Sequence, residues 1–250
     1  MRNTLPTALL PAALLAAALV SASASPALAL PDAETPPSPA QDAHADLYAA
    51  LGEGFDDSAM TETLLDSVMN EMIRSTHEIE LLEVEKPGFI AALRESVRPV
   101  LVGYSDRTQA EFEPRMIAAI RKVLTAEEAA QVAAFYRSDL GRKLLGNVSE
   151  AYRPEETARA APTESIGAEA VEADLRRAGI RALVALTPEE RNELVRIYGE
   201  TPALAKFDAG SGDITEVRVA MENNPMSADE EAQLMEAIES TFQAYFPAEE

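Results

Sequence analysis

The stretch Leu124-Thr125-Ala126-Glu127-Glu128-Ala129-Ala130-Gln131-Val132-Ala133-Ala134-Phe135-Tyr136-Arg137-Ser138-Asp139-Leu140-Gly141-Arg142-Lys143 decides the fold class. Thr125 and Glu128 form a capping box, in which the threonine oxygen accepts the backbone N–H three residues on and the glutamate reaches back. The helix it opens carries Val132, Phe135 and Tyr136 on one side. Ser138 is a second cap, opening a helix with Leu140, Leu144, Leu145 and Val148. The spacing predicts a tight helical hairpin with serine at its turn. Gly141 falls inside the second helix, where it costs ~1 kcal/mol against alanine. A packing reason is therefore expected there, such as the close approach of another backbone.

Helical periodicity continues on both sides. Upstream, Leu64, Leu65, Val68, Met69, Met72, Ile73, Ile79 and Leu82 recur at spacings of mostly three and four, the period of an amphipathic helix. A second face holds Phe89, Ile90, Leu93, Val97 and Leu101, and Pro99 within it is expected to kink or end the helix. A third, with Met116, Ile117, Ile120, Val123 and Leu124, starts near Pro114. Downstream, residues 153–163 read as a looser boundary, and helices resume near Ser165. Capping boxes recur at Thr187–Glu190, with Pro188 at the first helical position, and at Ser227–Glu230. Thr201-Pro202 opens a short helix ending near Phe207, Gly210-Ser211-Gly212-Asp213 reads as a flexible loop, and Asn223-Asn224-Pro225 as a breaker. Leu234, Met235, Ile238, Phe242, Tyr245 and Phe246 mark the last helix. Strand-like alternation is confined to Ile214–Val219, where a helix reads equally well. The expected fold is all-α: a bundle of amphipathic helices and hairpins, with one unit over residues 44–152 and a second over 163–247, either similar to each other or sharing one core.

An offset of 62 aligns residues 124–136 with 186–198, matching Leu, Thr, Glu, Glu and Tyr. That is what a duplicated hairpin gives. Residues 226–234 match the first copy comparably at an offset of 102, so the general likeness of capped amphipathic helices explains the match too.

The chain begins with Arg2, an apolar run over residues 5–20, a small-residue stretch and Ala27-Leu28-Ala29. This order is that of a secretory signal peptide over residues 1–29. Four prolines among residues 31–39 then forbid a helix, and residues 30–43 read as a disordered leader. The expected location is outside the cytoplasm, periplasmic or secreted, with no integral membrane segment after cleavage.

Composition narrows the chemistry. With 250 residues, no cysteine, two histidines and a formal charge of −22, the chain has no disulfide, thiolate zinc site or cysteine nucleophile. The charge argues against a nucleic-acid face, which needs clustered Lys and Arg. His77 with Glu80 one turn on lacks the second histidine and further carboxylates of a di-metal bundle, so His77 reads as a surface residue. His44, at the end of the leader, carries no hypothesis. Asp208, Asp213 and Glu216 flank the glycine loop, yet glycines occupy positions that a calcium loop gives to acids. No P-loop, Rossmann fingerprint or nucleophile elbow is present. No cofactor, metal or catalytic residue is assigned.

Residues 124–128 followed by Phe135-Tyr136-Arg137-Ser138-Asp139-Leu140-Gly141-Arg142-Lys143 resemble the signature of an exported bacterial family known as "domain of unknown function 2059", over residues 97–151. That family shows a threonine-capped acidic helix start, Phe-Tyr, a Ser or Thr two residues later, and Gly-x-Lys. Asp139 stands where the family often has proline, and it suits a helix first turn. The resemblance implies export and a helical fold, and it implies no activity. Phe135, Tyr136, Ser138, Gly141 and Lys143 admit two readings. One is a recognition patch. The other, favoured, is a structural hairpin of core aromatics, serine cap, glycine contact and paired lysine.

Two functions fit the sequence. The first is a non-catalytic interaction or envelope-maintenance protein, with an unidentified protein partner received in an apolar helical groove. The second is a small-ligand carrier or hydrolase using carboxylates in an inter-helix pocket, which predicts a buried cleft holding acids.

Overall fold

A computed structural model describes residues 42–54, 57–75, 78–160 and 165–247 of the protein. The signal-peptide reading, His77 and most of the leader reading lie outside the described residues. Every regular element described is a helix: α1 (Ala43–Gly52), α2 (Asp57–Ser75), α3 (Glu78–Glu85), α4 (Phe89–Val123), α5 (Ala126–Tyr136), α6 (Asp139–Ala151), α7 (Glu155–Ala160), α8 (Ala168–Ala185), α9 (Pro188–Glu200), α10 (Pro202–Ala209), α11 (Ser211–Glu222) and α12 (Ala228–Tyr245).

The hairpin forms as its caps dictate. Glu128 N donates to Thr125 Oγ1 at 3.3 Å while Thr125 N donates to Glu128 Oε2 at 2.8 Å. Gly141 N donates to Ser138 Oγ at 3.1 Å, starting α6 two residues after α5 ends. A Cβ at Gly141 would lie 2.1 Å from the Phe135 carbonyl oxygen and 2.7 Å from Tyr136 Cα. The expected close approach is thus the backbone of the hairpin's own first helix.

The helices enclose two apolar clusters. The larger is built on α1, α5, α6, α8, α9, α10, α11 and the C-terminal half of α4, with Leu47, Leu51, Met116, Tyr136, Leu145, Leu194 and Phe207 fully buried. Residues from both sides of the 153–163 boundary share it. Asp174 of α8, wholly buried, joins them by accepting the N–H groups of Glu156 and Thr157 at the start of α7. The smaller cluster holds Leu65, Met69, Ile79, Phe89, Leu93, Val97 and Leu101, closed by Leu234, Ile238 and Phe242 of α12.

Helix α4 runs through both clusters, which corrects two expectations. Pro99 and Pro114 neither end the helix nor separate two helices. Each proline removes the N–H that would reach the carbonyl four residues back. Here Glu95, Pro99, Ala110 and Pro114 all lie on the exposed side, so water satisfies the freed carbonyls while the buried side stays continuous. The expected loop at residues 210–213 is also corrected. α11 begins at Ser211, and Gly210 turns the chain where a Cβ would lie 2.3 Å from Val123 Cγ1. Residues 214–219 are helical. Asp42 caps α1, so the N-terminal unit is helical from Ala43.

Helix α12 docks on α4 through rings and one ion pair. Phe89 meets Phe242, Tyr245 and Phe246 edge to face at centroid distances of 4.9, 5.6 and 5.6 Å. Arg107 grips Glu230 with Nε at 2.8 Å and Nη2 at 3.0 Å. Arg107, and next the Ser227 N–H, hold the Glu230 carboxyl down at about 2, against a usual 4.5.

Gly141→Ala is expected to cost about 1–3 kcal/mol through overpacking, outweighing the ~1 kcal/mol helix-propensity gain. Urea denaturation measures this, and a rise in stability would show that the contact is not limiting. The support from Glu230 is complete above pH 4.5 and is lost as the pH falls toward 2. Arg107→Gln should therefore release α12 at a higher pH, followed by NMR of the Phe242 and Tyr245 rings; an unchanged acid midpoint would show that this pair does not hold the helix.

Candidate functional site

The structure brings the five hairpin residues together around the turn between α5 and α6. Phe135 and Tyr136 are buried, and their rings meet edge to face at 5.0 Å. Ser138 caps α6, and Gly141 sits against the Phe135 carbonyl. Lys143 Nζ donates to Glu190 Oε1 at 2.6 Å. Phe135 and Ser138 also line an open groove with Ile197 and Thr201. Beneath it, Tyr198 lies 6.2 Å from Phe135, ring to ring. Burial first, and then the Asp208 carboxylate, push the Tyr136 phenol up; burial, then Tyr136 and Asp208, do the same for Tyr198.

The ion pairs at this hairpin are reciprocal. Lys143 reaches Glu190, the capping-box glutamate of α9, and Lys206 reaches Glu128, the capping-box glutamate of α5, at 2.6 Å. Lys143 follows Ser138 by five residues, as Lys206 follows Thr201. The two helix pairs α5–α6 and α9–α10 are thus cross-linked by equivalent residues in both directions. Arg137 adds a clamp to α1, donating to Asp46 Oδ2 at 2.7 Å and to Glu53 Oε1 at 3.1 Å. The Arg137 guanidinium holds the Asp46 carboxyl below its usual range.

The acids of the glycine turn do not converge. Asp208 is buried beside the tyrosines, whereas Asp213 pairs with Lys122 at 3.2 Å. No group of three or more metal-ligating side chains occurs among the described residues. His44 belongs to α1, where its ring nitrogen Nε2 donates to the Leu124 carbonyl at 3.0 Å.

The concave site lies elsewhere, where the two apolar clusters meet. A cavity of about 150 Å³ opens between Thr61 and Thr63 of α2, the middle of α4 (Leu101, Val102, Tyr104, Ser105, Thr108 and Gln109), Tyr152 and Pro154 after α6, and Arg218, Met221 and Glu222 of α11. Hydrogen bonds fix several of its walls. Tyr104 donates its hydroxyl to the Asn224 carbonyl at 2.7 Å, and Asn224 Nδ2 donates to Thr108 Oγ1 at 3.2 Å. Gln109 Nε2 lies 3.4 Å from the Tyr48 hydroxyl.

Arg218 is the charged centre. It is 8% exposed, and its Nη2 is paired with Glu222 one turn on. Its Nε is buried with no hydrogen-bond partner among the described residues. Tyr152 stands beside it, and burial pushes the Tyr152 phenol up, so the hydroxyl stays protonated. The site therefore combines one buried guanidinium, its carboxylate, several hydroxyls and an apolar wall. Glu222 is the single acid among the lining residues, whereas paired-carboxylate hydrolysis uses two.

The sequence reading passed over this site. The signal was Arg218 itself, on the face marked by Ile214, Val217 and Met221, with Glu222 four residues later. A basic residue at an apolar helical position asks for a buried partner.

Residues 110–160 match the model of a bacterial family described as "Uncharacterized protein conserved in bacteria (DUF2059)", the family whose signature the hairpin resembles. The match spans the end of α4 through α7. No curated protein and no solved structure matches the chain. Of the cavity residues, only Tyr152 and Pro154 fall within the matched segment.

Glu222→Ala should cost about 3 kcal/mol, because it leaves a buried guanidinium without its counter-charge. The double change Arg218→Met with Glu222→Gln removes both charges and should stay within about 1 kcal/mol of the parent. Chemical denaturation compares the two. Equal losses would mean that side-chain volume, and not charge pairing, governs this position.

Proposed function

We propose that the protein is an exported, non-catalytic binding protein that holds a small molecule in the cavity between α2, α4 and α11. Arg218 carries this reading. It is a guanidinium 8% exposed that lines a cavity, with a single carboxylate, Glu222, among the other lining residues. Ligand sites favour such positions, at a junction between two packed bodies, with an apolar lining and a few convergent polar groups. Export rests on residues 1–29, whose order is that of a signal peptide. No described helix is long and apolar enough to cross a membrane. In this reading Phe135, Tyr136, Ser138, Gly141 and Lys143 are scaffold, holding the helices that carry the cavity.

One observation favours the interaction reading. Ile180 and Val184, 44% and 68% exposed, stand one turn apart on α8. An apolar pair of this kind suits contact with an envelope protein.

The cavity reading is tested by ligand-observed NMR with a fragment library on the parent and on Ser105→Phe, which fills the cavity from a half-buried position. Fragments that bind the parent and are lost from Ser105→Phe are expected. If no fragment distinguishes the two proteins, the cavity is not a binding site and weight passes to the α8 surface.

A further inference from the structure

We propose that the molecule held in this cavity is a small monocarboxylic acid with a short apolar body, its carboxylate received by Arg218. The inference rests on the cavity reading above and names the ligand class for it. A guanidinium carries five N–H donors and no acceptor. Glu222 engages Nη2, and Nε remains buried without a partner among the described residues. Arg218 lines the cavity with more donors than Glu222 can take up, and a carboxylate is the acceptor that a guanidinium binds most strongly. A cationic ligand would place like charge beside Arg218. A phosphorylated or multiply charged anion would need more basic groups than the single arginine that lines the cavity.

The rest of the lining sets the body of the ligand. Leu101, Val102 and Met221 give an apolar wall opposite the hydroxyls. A dry cavity of about 150 Å³ accommodates a benzene-sized molecule, which limits the ligand to roughly six to nine non-hydrogen atoms. The charge of −22 on the chain repels acids at long range, but that field is screened beyond ~8 Å at physiological ionic strength. Inside the cavity, Arg218 sets the local sign of donor and acceptor.

Titration calorimetry of the full chain with matched pairs tests this: butyrate against butyramide, hexanoate against hexanamide, and benzoate against benzamide. At least one acid should bind tenfold or more tightly than its amide. Arg218→Met should abolish that preference by weakening the acid at least tenfold more than its amide. The double variant Arg218→Met with Glu222→Gln should behave alike, which guards against misfolding caused by a lone Glu222. Acid and amide binding equally, with both lost in Ser105→Phe, would overturn the carboxylate assignment and leave the cavity reading standing. Binding of other fragments in a Ser105→Phe-sensitive manner, with no acid bound, would do the same. The absence of any Ser105→Phe-sensitive binding would overturn both.

Discussion

The contact between α6 and the Phe135 carbonyl sets the geometry of the larger cluster. It lets the second helix of the hairpin start within two residues of the first, with the Gly141 Cα laid on the preceding backbone. Any side chain at that position would push α6 away. With α6 held close, Leu144, Leu145 and Val148 cover Tyr136, which is wholly removed from water. A ring of that size buries roughly 200 Å², worth about 5 kcal/mol at 25 cal/mol per Å². The cost of glycine in a helix is small beside this, so the residue is best understood as a spacer that admits the aromatic core.

The same hairpin shows why the second half of the chain repeats its chemistry without repeating its sequence closely. Lys143 and Lys206 each reach the capping-box glutamate of the other helix pair. Exposed pairs like these contribute little stability. Their value as observations lies in their equivalence: same position after the cap, same target position before it, in both directions. The second helix pair differs at one position: α10 has no glycine where α6 has Gly141. Leu204 stands there, fully buried, and fills space where Gly141 yields it.

Local chemistry was legible in the sequence wherever the signal was local. Thr125, Ser138, Thr187 and Ser227 each start a helix as their side chains require. The apolar spacings give the buried faces, including Phe89, Leu93 and Val97. The prolines misled because their effect depends on which side of the helix they fall. Pro99 and Pro114 are harmless only because both point to water, a property set by neighbours far along the chain. The loop expected at residues 210–213 failed for a similar reason. Its glycines were read as freedom, whereas Gly210 makes room for Val123. Arg218 was hidden differently: Tyr152 and the α4 hydroxyls that line the cavity with it lie 66 or more residues away in sequence, and only the fold assembles them.

That assembly follows from α4. A 35-residue helix is too long for one small cluster, so its N-terminal half packs with α2, α3 and α12 while the rest of it packs with α1, α10 and α11. Two bodies meeting on one rod cannot both press against its middle. The gap left there falls at Leu101 through Gln109, where α4 carries Tyr104, Ser105, Thr108 and Gln109 between its more apolar ends. Helix α11 closes the gap with Arg218, the one strongly polar residue on its buried face. The cavity is therefore the consequence of how the two clusters share a helix, and its polar character is written into the side chains that line the seam. A molecule seated there would touch both bodies at once, so occupancy and the docking of the α2–α12 cluster on the rest are expected to be linked.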